Sequence, residues 1–263
     1  MTELVAPAKL NLALIVGPVR PDGRHEIATV LQRISLADRI TLEPADELQV
    51  EGFAEDTIVR RALEEVAATA GTPPNWRVMI DKEIPVAAGL GGGSSDAAAA
   101  LRLANWTLDN PLTDRALYDI AVRLGADVPF FLTTGPQLGE GDGTVLSPIE
   151  LPDDYWIVLL LPHGERKAST GEVYAAYTGH DGFGERRAAL HQALALGDLA
   201  ALPPNDLASS PLADELREQG AFRADVTGAG PAVYGLFAEQ EEALSAHAAL
   251  AGRGEAWIAA PAW

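Results

Sequence analysis

Cysteine is absent from the 263-residue chain, and this excludes disulfide bridges, thiolate metal sites and cysteine nucleophiles. Histidine is scarce, and none of the five is paired with another at the spacing of metal ligands. The five are His25, His163, His180, His191 and His247. No apolar run approaches the roughly 18 residues that a membrane-spanning helix needs. The chemistry of this protein therefore has to come from other side chains and from the backbone.

Positive charge is also in short supply. The chain has 19 Lys and Arg residues against 38 Asp and Glu residues, which gives a formal net charge of −19. Such a surface repels the phosphate backbone of nucleic acids, so we expect no nucleic-acid partner. A small anionic ligand would need a local site that overcomes the overall field. Backbone amides at a helix N-terminus, a lysine and a divalent cation can supply such a site.

The apolar segment LNLALIVG, residues 10–17, could be mistaken for the core of a signal peptide. However, Glu3 stands where a signal peptide has basic residues, and no small-residue cleavage site follows. We therefore interpret the segment as a buried strand. The resulting expectation is a cytoplasmic protein without a membrane partner, present as a monomer or a weak homodimer.

The predicted strands and helices do not alternate regularly along the chain, which favours an α+β fold over a doubly wound sheet. A boundary near SPIELP, residues 147–152, divides the chain into a domain over 1–150 and a second domain over 151–263. A turn is predicted at RPDGRH, residues 20–25. Apolar runs and alternation predict strands at 8–16, 39–43, 77–81, 155–161, 224–227, 232–237 and 255–259. Helical spacing predicts helices at 56–70, 94–107, 114–124, 185–196, 212–219 and 239–251.

The most informative segment is PVAAGLGGGSSD, residues 85–96, which has four glycines between Gly89 and Gly93. Glycine loses more conformational freedom on folding than any other residue, so this density indicates a backbone that something approaches closely. An Ala-rich helix starts directly afterwards, and a helix N-terminus attracts anions through its unpaired amides and its dipole. We predict a polyphosphate site, with Ser94 and Ser95 either capping the helix or placing a hydroxyl on a phosphate or on Mg²⁺.

Neither of two common phosphate-binding loops fits this segment. A Walker A loop needs lysine where Ser94 stands, and the dinucleotide fingerprint needs glycine where this loop has serine. A flexible linker is the remaining alternative, but a linker would not run straight into an Ala-rich helix.

Together with three other segments, the loop resembles the phosphate-binding motif of the GHMP small-molecule kinases. The segments are APAKLNLAL near the N-terminus, LGADVPFF at 124–131 and VTGAGPAVYGLF at 226–237. With RPDGRH and with EGDG at 140–143, they are similar to the branch of that family that acts in the non-mevalonate isoprenoid pathway. The resemblance runs in order over nearly the whole chain.

The resemblance implies a two-domain GHMP kinase fold, with an N-terminal ribosomal-protein-S5-domain-2-like domain and a C-terminal ferredoxin-like α/β sandwich. It also implies ATP as phosphate donor and Mg²⁺ as cofactor. The acceptor would be the 2-hydroxyl of the methylerythritol unit of a cytidine diphosphate-linked substrate. Two alternatives stay open: another GHMP kinase, acting on homoserine, a mevalonate derivative or a sugar, and a catalytically silent sensor of ATP and a small ligand.

Lys9 and Asp127 are the catalytic residues that the resemblance implies. Side chains alternate along a strand, so Lys9 and Asn11 point to the same side, where Asn11 would contact the substrate. Asp127 matches the aspartate that accepts the proton of the substrate hydroxyl, with Lys9 expected beside it. Considered alone, Lys9 and Asn11 also fit an edge strand with solvated polar residues. Asp127, before Val128-Pro129, also fits a helix N-cap.

The resemblance also implies a pocket for the cytidine base. His25 matches a histidine that hydrogen-bonds cytosine, although an isolated turn histidine is usually just solvated. Arg24 stands where the family has an aromatic residue, and a guanidinium can also stack on a base. Tyr174 is the second stacking candidate, or else a core aromatic residue on a helix.

Further contacts are implied for a second glycine turn and for the nucleotide. Thr227 and Gly228 would contact the substrate, although a plain β-turn explains them as well. Lys82 and Thr57 match positions near adenine, and Thr57 departs from the asparagine often found there. Asp96 would help to order Mg²⁺ or is simply an acidic residue of a first helical turn, and the metal ligands stay unassigned. The predicted cofactor-binding residues are Pro85, Val86, Ala87, Ala88, Gly89, Leu90, Gly91, Gly92, Gly93, Ser94, Ser95 and Lys82.

Overall fold

The computed structural model describes residues 1–53, 58–164, 170–179 and 182–262. Strands and helices occur in separate groups, which confirms the α+β class. The strands are β1 (Thr2–Val19), β2 (His25–Pro44), β3 (Gln49–Glu51), β4 (Trp76–Asp81), β5 (Gln137–Gly141), β6 (Val145–Pro148), β7 (Trp156–Pro162), β8 (Arg223–Val226), β9 (Val233–Phe237), β10 (Gly254–Ala259) and β11 (Pro261–Ala262). The helices are α1 (Ile58–Ala70), α2 (Gly92–Trp106), α3 (Asp114–Leu124), α4 (Val128–Leu132), α5 (Thr170–Ala176), α6 (Phe183–Leu196), α7 (Pro211–Glu218) and α8 (Gln240–Leu250).

The chain divides into two compact units, and each unit combines segments that are distant in the sequence. The first unit comprises Met1–Ala8, Leu36–Val86 and Gly91–Thr134. The second comprises Lys9–Ser35, Ala87–Leu90 and the chain from Gly135 onward. The strands β1 and β2 and the glycine loop therefore contribute residues to both units.

The first two strands are longer than predicted. β1 has 18 residues and β2 has 20, whereas the sequence predicted strands over 8–16 and 39–43 only. For β2, the reason is the stretch from Ile27 to Ile34, in which every residue is buried. A strand that is buried on both faces shows no alternation of polar and apolar residues, so the periodicity signal is missing there.

Two turns connect consecutive strands, β1 with β2 and β5 with β6. The turn predicted at RPDGRH is confirmed, because the Arg20 amide donates to the Arg24 carbonyl at 2.7 Å and Gly23 has a φ of +82°. The motif EGDG lies in the turn of a β5–β6 hairpin, which the sequence did not predict. In that turn the Gly143 amide donates to the carbonyl of Glu140 at 3.0 Å.

In the first unit, β4 lies between β3 and the C-terminal half of β2. It pairs antiparallel with β2 and parallel with β3, and its side chains alternate between buried and exposed, as predicted. The helix α1 packs against α2 and α3, and α2 packs against α4. The predicted helix over 56–70 is confirmed from Ile58 onward, and residues 56–57 lie outside the described residues. The buried alanines Ala97–Ala100 let neighbouring helices approach α2 closely.

In the second unit, a sheet has the antiparallel order β10-β7-β9-β8. The helices α7 and α8 pack against this sheet, and side chains such as Leu160, Leu216 and Phe237 form the core between them. The N-terminal half of β2 pairs with β5, which in turn pairs with β6. The elements predicted beyond residue 150 agree with the observed bounds to within two residues.

None of the helices in the described ranges is long and apolar enough to cross a bilayer.

Candidate active site

The glycine loop runs into α2 through the left-handed residue Gly91, which has φ 72° and ψ 14°. The helix begins at Gly92, two residues before the predicted start. Its N-cap residue Gly91 has no side chain, and among the described residues no side chain caps the first turn. The predicted capping role of Ser94 and Ser95 is therefore wrong, since both serines lie inside the helix and beyond its N-cap position. A first turn without side-chain caps is the state in which a helix N-terminus binds anions.

Close packing requires glycine at position 89. Gly89 has a φ of +86°, and a Cβ there would lie 2.5 Å from the carbonyl oxygen of Thr227. The neighbouring Leu90 carbonyl accepts a hydrogen bond from the Lys9 amide at 2.9 Å. The first half of the loop is thus fixed to β1 and to the turn after β8.

Lys9 is buried within β1, with an exposed fraction of 3%. Its ammonium donates to Asn11 Oδ1 at 2.5 Å and to the Gly89 carbonyl at 2.9 Å. The Asn11 side chain in turn donates from Nδ2 to Thr29 Oγ1 at 2.8 Å, and Thr29 donates to the Ala13 carbonyl at 2.7 Å. Lys9 and Asn11 are therefore both buried and hydrogen-bonded, so the alternative of a solvated edge strand is wrong.

The second glycine turn contacts the same two side chains. Thr227 Oγ1 accepts a hydrogen bond from the backbone N–H of Asn11 at 3.0 Å. Gly228 has a φ of +59°, and a Cβ there would lie 3.3 Å from Asn11 Oδ1 and 3.4 Å from Lys9 Nζ. The turn is fixed by Asn205, whose Nδ2 donates to the Gly228 carbonyl at 2.7 Å. The sequence analysis missed Asn205, because it lies in an irregular segment and belongs to no motif.

Asp127 precedes α4 but does not cap it. Its backbone is helical (φ −83°, ψ −17°), and its side chain makes no capping hydrogen bond in this fully described segment. A capping residue has an extended backbone and accepts from a first-turn amide, so the cap interpretation is wrong. At the other end of α4, Arg102 of α2 donates to the Leu132 carbonyl at 2.8 Å. The helix that begins at the glycine loop therefore also holds the short helix next to Asp127.

Lys82 follows β4, and its ammonium lies between two buried carboxylates. It contacts Asp38 at 2.5 Å and Asp96 at 2.8 Å. Burial raises the pKa of Asp96 to about 7, although Lys82 acts to lower it. Burial acts to lower the pKa of Lys82, but the two carboxylates outweigh it and the pKa of Lys82 is raised. The predicted contact of Lys82 with adenine stays a prediction, and Thr57 lies outside the described residues.

Asp96 lies one residue beyond the first turn of α2, so the interpretation of Asp96 as an acidic residue of a first helical turn is wrong. Near the start of this helix, two oxygens are buried without a hydrogen-bond partner among the described residues. They are Ser95 Oγ and Asp96 Oδ1. Most buried polar atoms in proteins have a partner, so this pair next to the glycine loop points to a ligand. Over the described part of the chain, no group of three or more His, Asp or Glu side chains could hold a metal ion. A cation bound here would therefore need further oxygens from a phosphate.

His25 begins β2 and is set among aromatic side chains. Its Nδ1 lies 2.9 Å from the carbonyl oxygen of Gly17. A carbonyl only accepts, so in this contact Nδ1 carries the proton, and Nε2 is the acceptor nitrogen of the neutral ring. The ring centroids of Tyr174 and Tyr177 each lie 5.9 Å from that of His25. The predicted partner Tyr174 is thus close to His25, and Tyr177 is an aromatic neighbour that the sequence analysis did not name.

Arg24 lies in the turn before β2, with a side chain that is 60% exposed. Its guanidinium forms an ion pair with Asp142 of the EGDG turn at 2.5 Å. Arg24 and the EGDG motif are therefore in contact, although 118 positions separate the two residues in the chain.

Besides the pair of His25 and Tyr174, the described contacts join predicted site residues into two groups, one in each unit. In the second unit the contacts join Lys9, Asn11, Gly89, Thr227 and Gly228. In the first unit they join Lys82, Asp96 and Gly92, where a Cβ would lie 3.2 Å from Lys82 Nζ. The sequence analysis missed Asp38, because this aspartate lies just before the predicted strand 39–43 and belongs to no motif.

Comparison with known proteins shows the family to which the chain belongs. The model of the GHMP kinases N terminal domain matches residues 57–135, and that of the GHMP kinases C terminal domain matches residues 186–256. The chain is 38% identical over 262 residues to 4-diphosphocytidyl-2-C-methyl-D-erythritol kinase of Geobacter metallireducens, covering 92% of both chains. A crystal structure of 4-(cytidine 5'-diphospho)-2C-methyl-D-erythritol kinase matches with a TM-score of 0.85 and 33% identity over 100% of both chains.

A more distant match shows the fold alone. Homoserine kinase of Cytophaga hutchinsonii has a TM-score of 0.77 and 16% identity, over 98% of this chain and 94% of that one. The identity to the first two proteins is much higher and extends over nearly the whole chain. The protein therefore belongs to the 4-diphosphocytidyl-2-C-methyl-D-erythritol kinase family of the GHMP kinases.

Proposed function

We propose that this protein transfers the γ-phosphoryl group of ATP to the 2-hydroxyl of 4-diphosphocytidyl-2-C-methyl-D-erythritol. The family relationship supports the reaction. One structural observation carries its nucleotide part: the glycine loop runs into α2 with no side-chain cap on the first turn. The helix dipole and these amides favour a polyphosphate. The net charge of −19 makes such a local site necessary.

In the proposed mechanism Asp127 accepts the proton of the attacking hydroxyl, and Lys9 stabilises charge on the transferred group. Phosphoryl transfer has a loose transition state in most analyses, so positioning and charge stabilisation matter more than early proton removal. The hydrogen bonds from Lys9 to Asn11 and Gly89 go to neutral oxygens. These bonds fix the position of the ammonium. The approach of Lys9 to Asp127 stays a prediction.

Mg²⁺ is the expected cofactor, and the residues present fit it. This ion takes hard oxygen ligands, usually one or two carboxylates together with substrate phosphates. The unpartnered oxygens of Ser95 and Asp96 are of this kind and would hold the ion near the N-terminus of α2. When bound, it would neutralise charge on the phosphates of ATP.

The cytidine end of the substrate is assigned to the surroundings of His25. With Nδ1–H directed at the Gly17 carbonyl, Nε2 is the nitrogen that accepts, which suits the exocyclic amino group of cytosine. Tyr174 and the guanidinium of Arg24 are the proposed stacking groups. Asn11, Thr227 and Gly228 would contact the part of the substrate that carries the acceptor hydroxyl.

An assay of ADP release tests the substrate. The cytidylated methylerythritol, mevalonate, a mevalonate phosphate and homoserine are offered separately with ATP and Mg²⁺. Turnover with the cytidylated compound alone supports the proposal. Turnover with one of the others would assign the protein to a different GHMP kinase activity, and ATP binding without any turnover would identify a sensor.

Substitution of Asp127 tests the proposed base. Asp127→Asn is expected to lower kcat by about 10²–10⁴-fold, the usual contribution of general acid–base catalysis. Thermal unfolding should be nearly unchanged, because the side chain does not cap α4. A variant with wild-type kcat and wild-type stability would remove Asp127 from the mechanism.

Several broader expectations belong to the same proposal. They are a cytoplasmic location, a monomer or weak homodimer, the absence of nucleic-acid and membrane partners, and a domain boundary near residue 150. Light scattering of the purified protein would determine the oligomeric state. Separate expression of residues 1–150 and 151–263 would test the boundary, since a true boundary yields at least one fragment that unfolds cooperatively.

A further inference from the structure

Three segments of the first unit meet at the ammonium of Lys82. Asp38 comes from β2, Lys82 is the residue after β4, and Asp96 is the fifth residue of α2. Both carboxylates are almost fully buried, with side-chain exposures of 0% and 2%. We call these three residues the Lys82 ion cluster.

The cluster contacts the chain on both sides of the glycine loop. Before the loop, Asp38 Oδ1 accepts from the backbone amides of Glu83 at 2.7 Å and Ile84 at 2.8 Å. After the loop, Lys82 pairs with Asp96, and its Nζ also packs against Gly92, the first residue of α2. The segments that enter and leave the loop are thereby tied to one buried group.

We infer that the Lys82 ion cluster positions the glycine loop for the phosphates of ATP, and that Asp38 and Lys82 are positioning residues. The inference rests on the proposed function, since it assigns the cluster to the ATP site of that reaction. Asp38 is the decisive member, because a side chain with no exposed surface acts on a ligand only through other residues.

Charge explains why the cluster is rigid. A buried ion pair that loses one partner leaves an uncompensated charge in a medium of low dielectric, and this is strongly unfavourable. Each carboxylate therefore keeps the ammonium close, and the hydrogen bonds of Asp38 to two backbone amides transmit that restraint to the residue before Pro85. A displacement of loop amides by about 1 Å is enough to reduce binding or rate by roughly a hundredfold.

Asp38→Asn is the main test, because it removes the charge and keeps the size of the side chain. The dissociation constant of ATP is measured by direct titration, with Mg²⁺ and separately with EDTA. We expect it to rise by about ten- to a hundredfold in both conditions, with the KM of the second substrate unchanged. Asp81→Asn is the matched control, since Asp81 is exposed and lies one residue from Lys82. The control should bind ATP like the wild type.

Lys82→Met separates positioning from a contact with adenine. A positioning role predicts weaker binding of ATP and GTP by the same factor, whereas an adenine contact predicts a changed ratio of the two. Amide hydrogen exchange should also become faster in residues 83–95 of this variant, and not in the control. This readout needs no turnover, so it is informative even if the substrate assignment fails.

Three outcomes would overturn the inference. The first is wild-type ATP affinity in a folded Asp38→Asn variant. The second is a Lys82→Met variant with altered ATP-to-GTP ratio and unchanged exchange in the loop. If Asp38→Asn does not fold, Lys82→Arg is tested in its place, because arginine keeps the positive charge but has a longer side chain. The third outcome is then wild-type ATP affinity together with wild-type amide exchange in both Lys82→Arg and Lys82→Met.

Discussion

Two lysines, Lys9 and Lys82, contact different halves of the glycine loop, and they are held in different ways. Lys9 donates to an amide oxygen of Asn11 and to the backbone carbonyl of Gly89. Lys82 donates to two carboxylates, those of Asp38 and Asp96. The hydrogen bonds of Lys9 to Asn11 and Gly89 fix the position of its ammonium beside the loop, whereas the two carboxylates around Lys82 use the charge of that ammonium within the protein. The first arrangement suits chemistry on a phosphoryl group, and the second suits the support of a loop.

The largest expected effect comes from Lys9→Met. If Lys9 stabilises charge in the transition state, kcat should fall by about 10²–10³-fold, while the dissociation constant of ATP changes little because the ground state depends less on this residue. Lys82→Met should show the opposite pattern, a large loss of affinity for ATP and a smaller change in kcat. Steady-state kinetics and ATP titration of both variants check this. Equal losses of affinity in the two variants would end the distinction between the lysines.

A smaller effect is expected from Gly228→Ala, which adds a methyl group close to Lys9 and Asn11. The new Cβ would lie 3.3 Å from Asn11 Oδ1 and 3.4 Å from Lys9 Nζ, so we expect kcat to fall roughly tenfold through misplacement of these groups. The left-handed backbone also costs about 1–2 kcal/mol of stability for any non-glycine residue.

Gly71→Ala is the control for that backbone cost. Gly71 has a similar φ of +68°, but a Cβ there would have nothing within 4 Å. It should lose comparable stability in thermal unfolding and keep its kcat. A loss of kcat in both variants would attribute the effect to general destabilisation and not to crowding at Lys9.

The smallest effect is expected from Thr29→Val, which acts on Lys9 through Asn11. Thr29 accepts from Asn11 Nδ2 and donates to the Ala13 carbonyl, so valine leaves both groups buried without that partner. The free energy of unfolding should fall by about 1–3 kcal/mol, and kcat by only a few fold. Thr41→Val, in the same strand, is the comparison for loss of a hydroxyl. Chemical denaturation of both variants, with kcat beside it, measures the difference.

Local patterns were enough to predict most helices and strands. The spacing of apolar residues identified α3, and the alternation along β4 identified that strand. The same reasoning failed for the N-terminal half of β2, because burial on both faces removes the alternation. It also misplaced the start of α2, since glycine has a low helix propensity but Gly92 and Gly93 are nevertheless helical here.

The candidate site was predictable only where its residues lie in motifs. The glycine loop, Lys9, Asp127 and His25 belong to such segments. Asn205 and Asp38 do not, and each acts through hydrogen bonds to backbone atoms that are distant in the sequence. A hydrogen bond to a backbone group leaves no mark on the identity of the residue that it contacts, so sequence patterns alone do not reveal it.

Composition and motifs were sufficient to predict an acidic α+β protein with a phosphate-binding loop and to show the GHMP kinase resemblance. Those properties depend on local chemistry: the freedom of glycine, the periodicity of strands and helices, and the sum of charges. The tertiary structure decided what surrounds the two lysines. Their partners lie far from them in the sequence, as the Gly89 carbonyl does, 80 positions from Lys9. A charge acts according to what lies within a few ångströms of it, whatever the order of the chain.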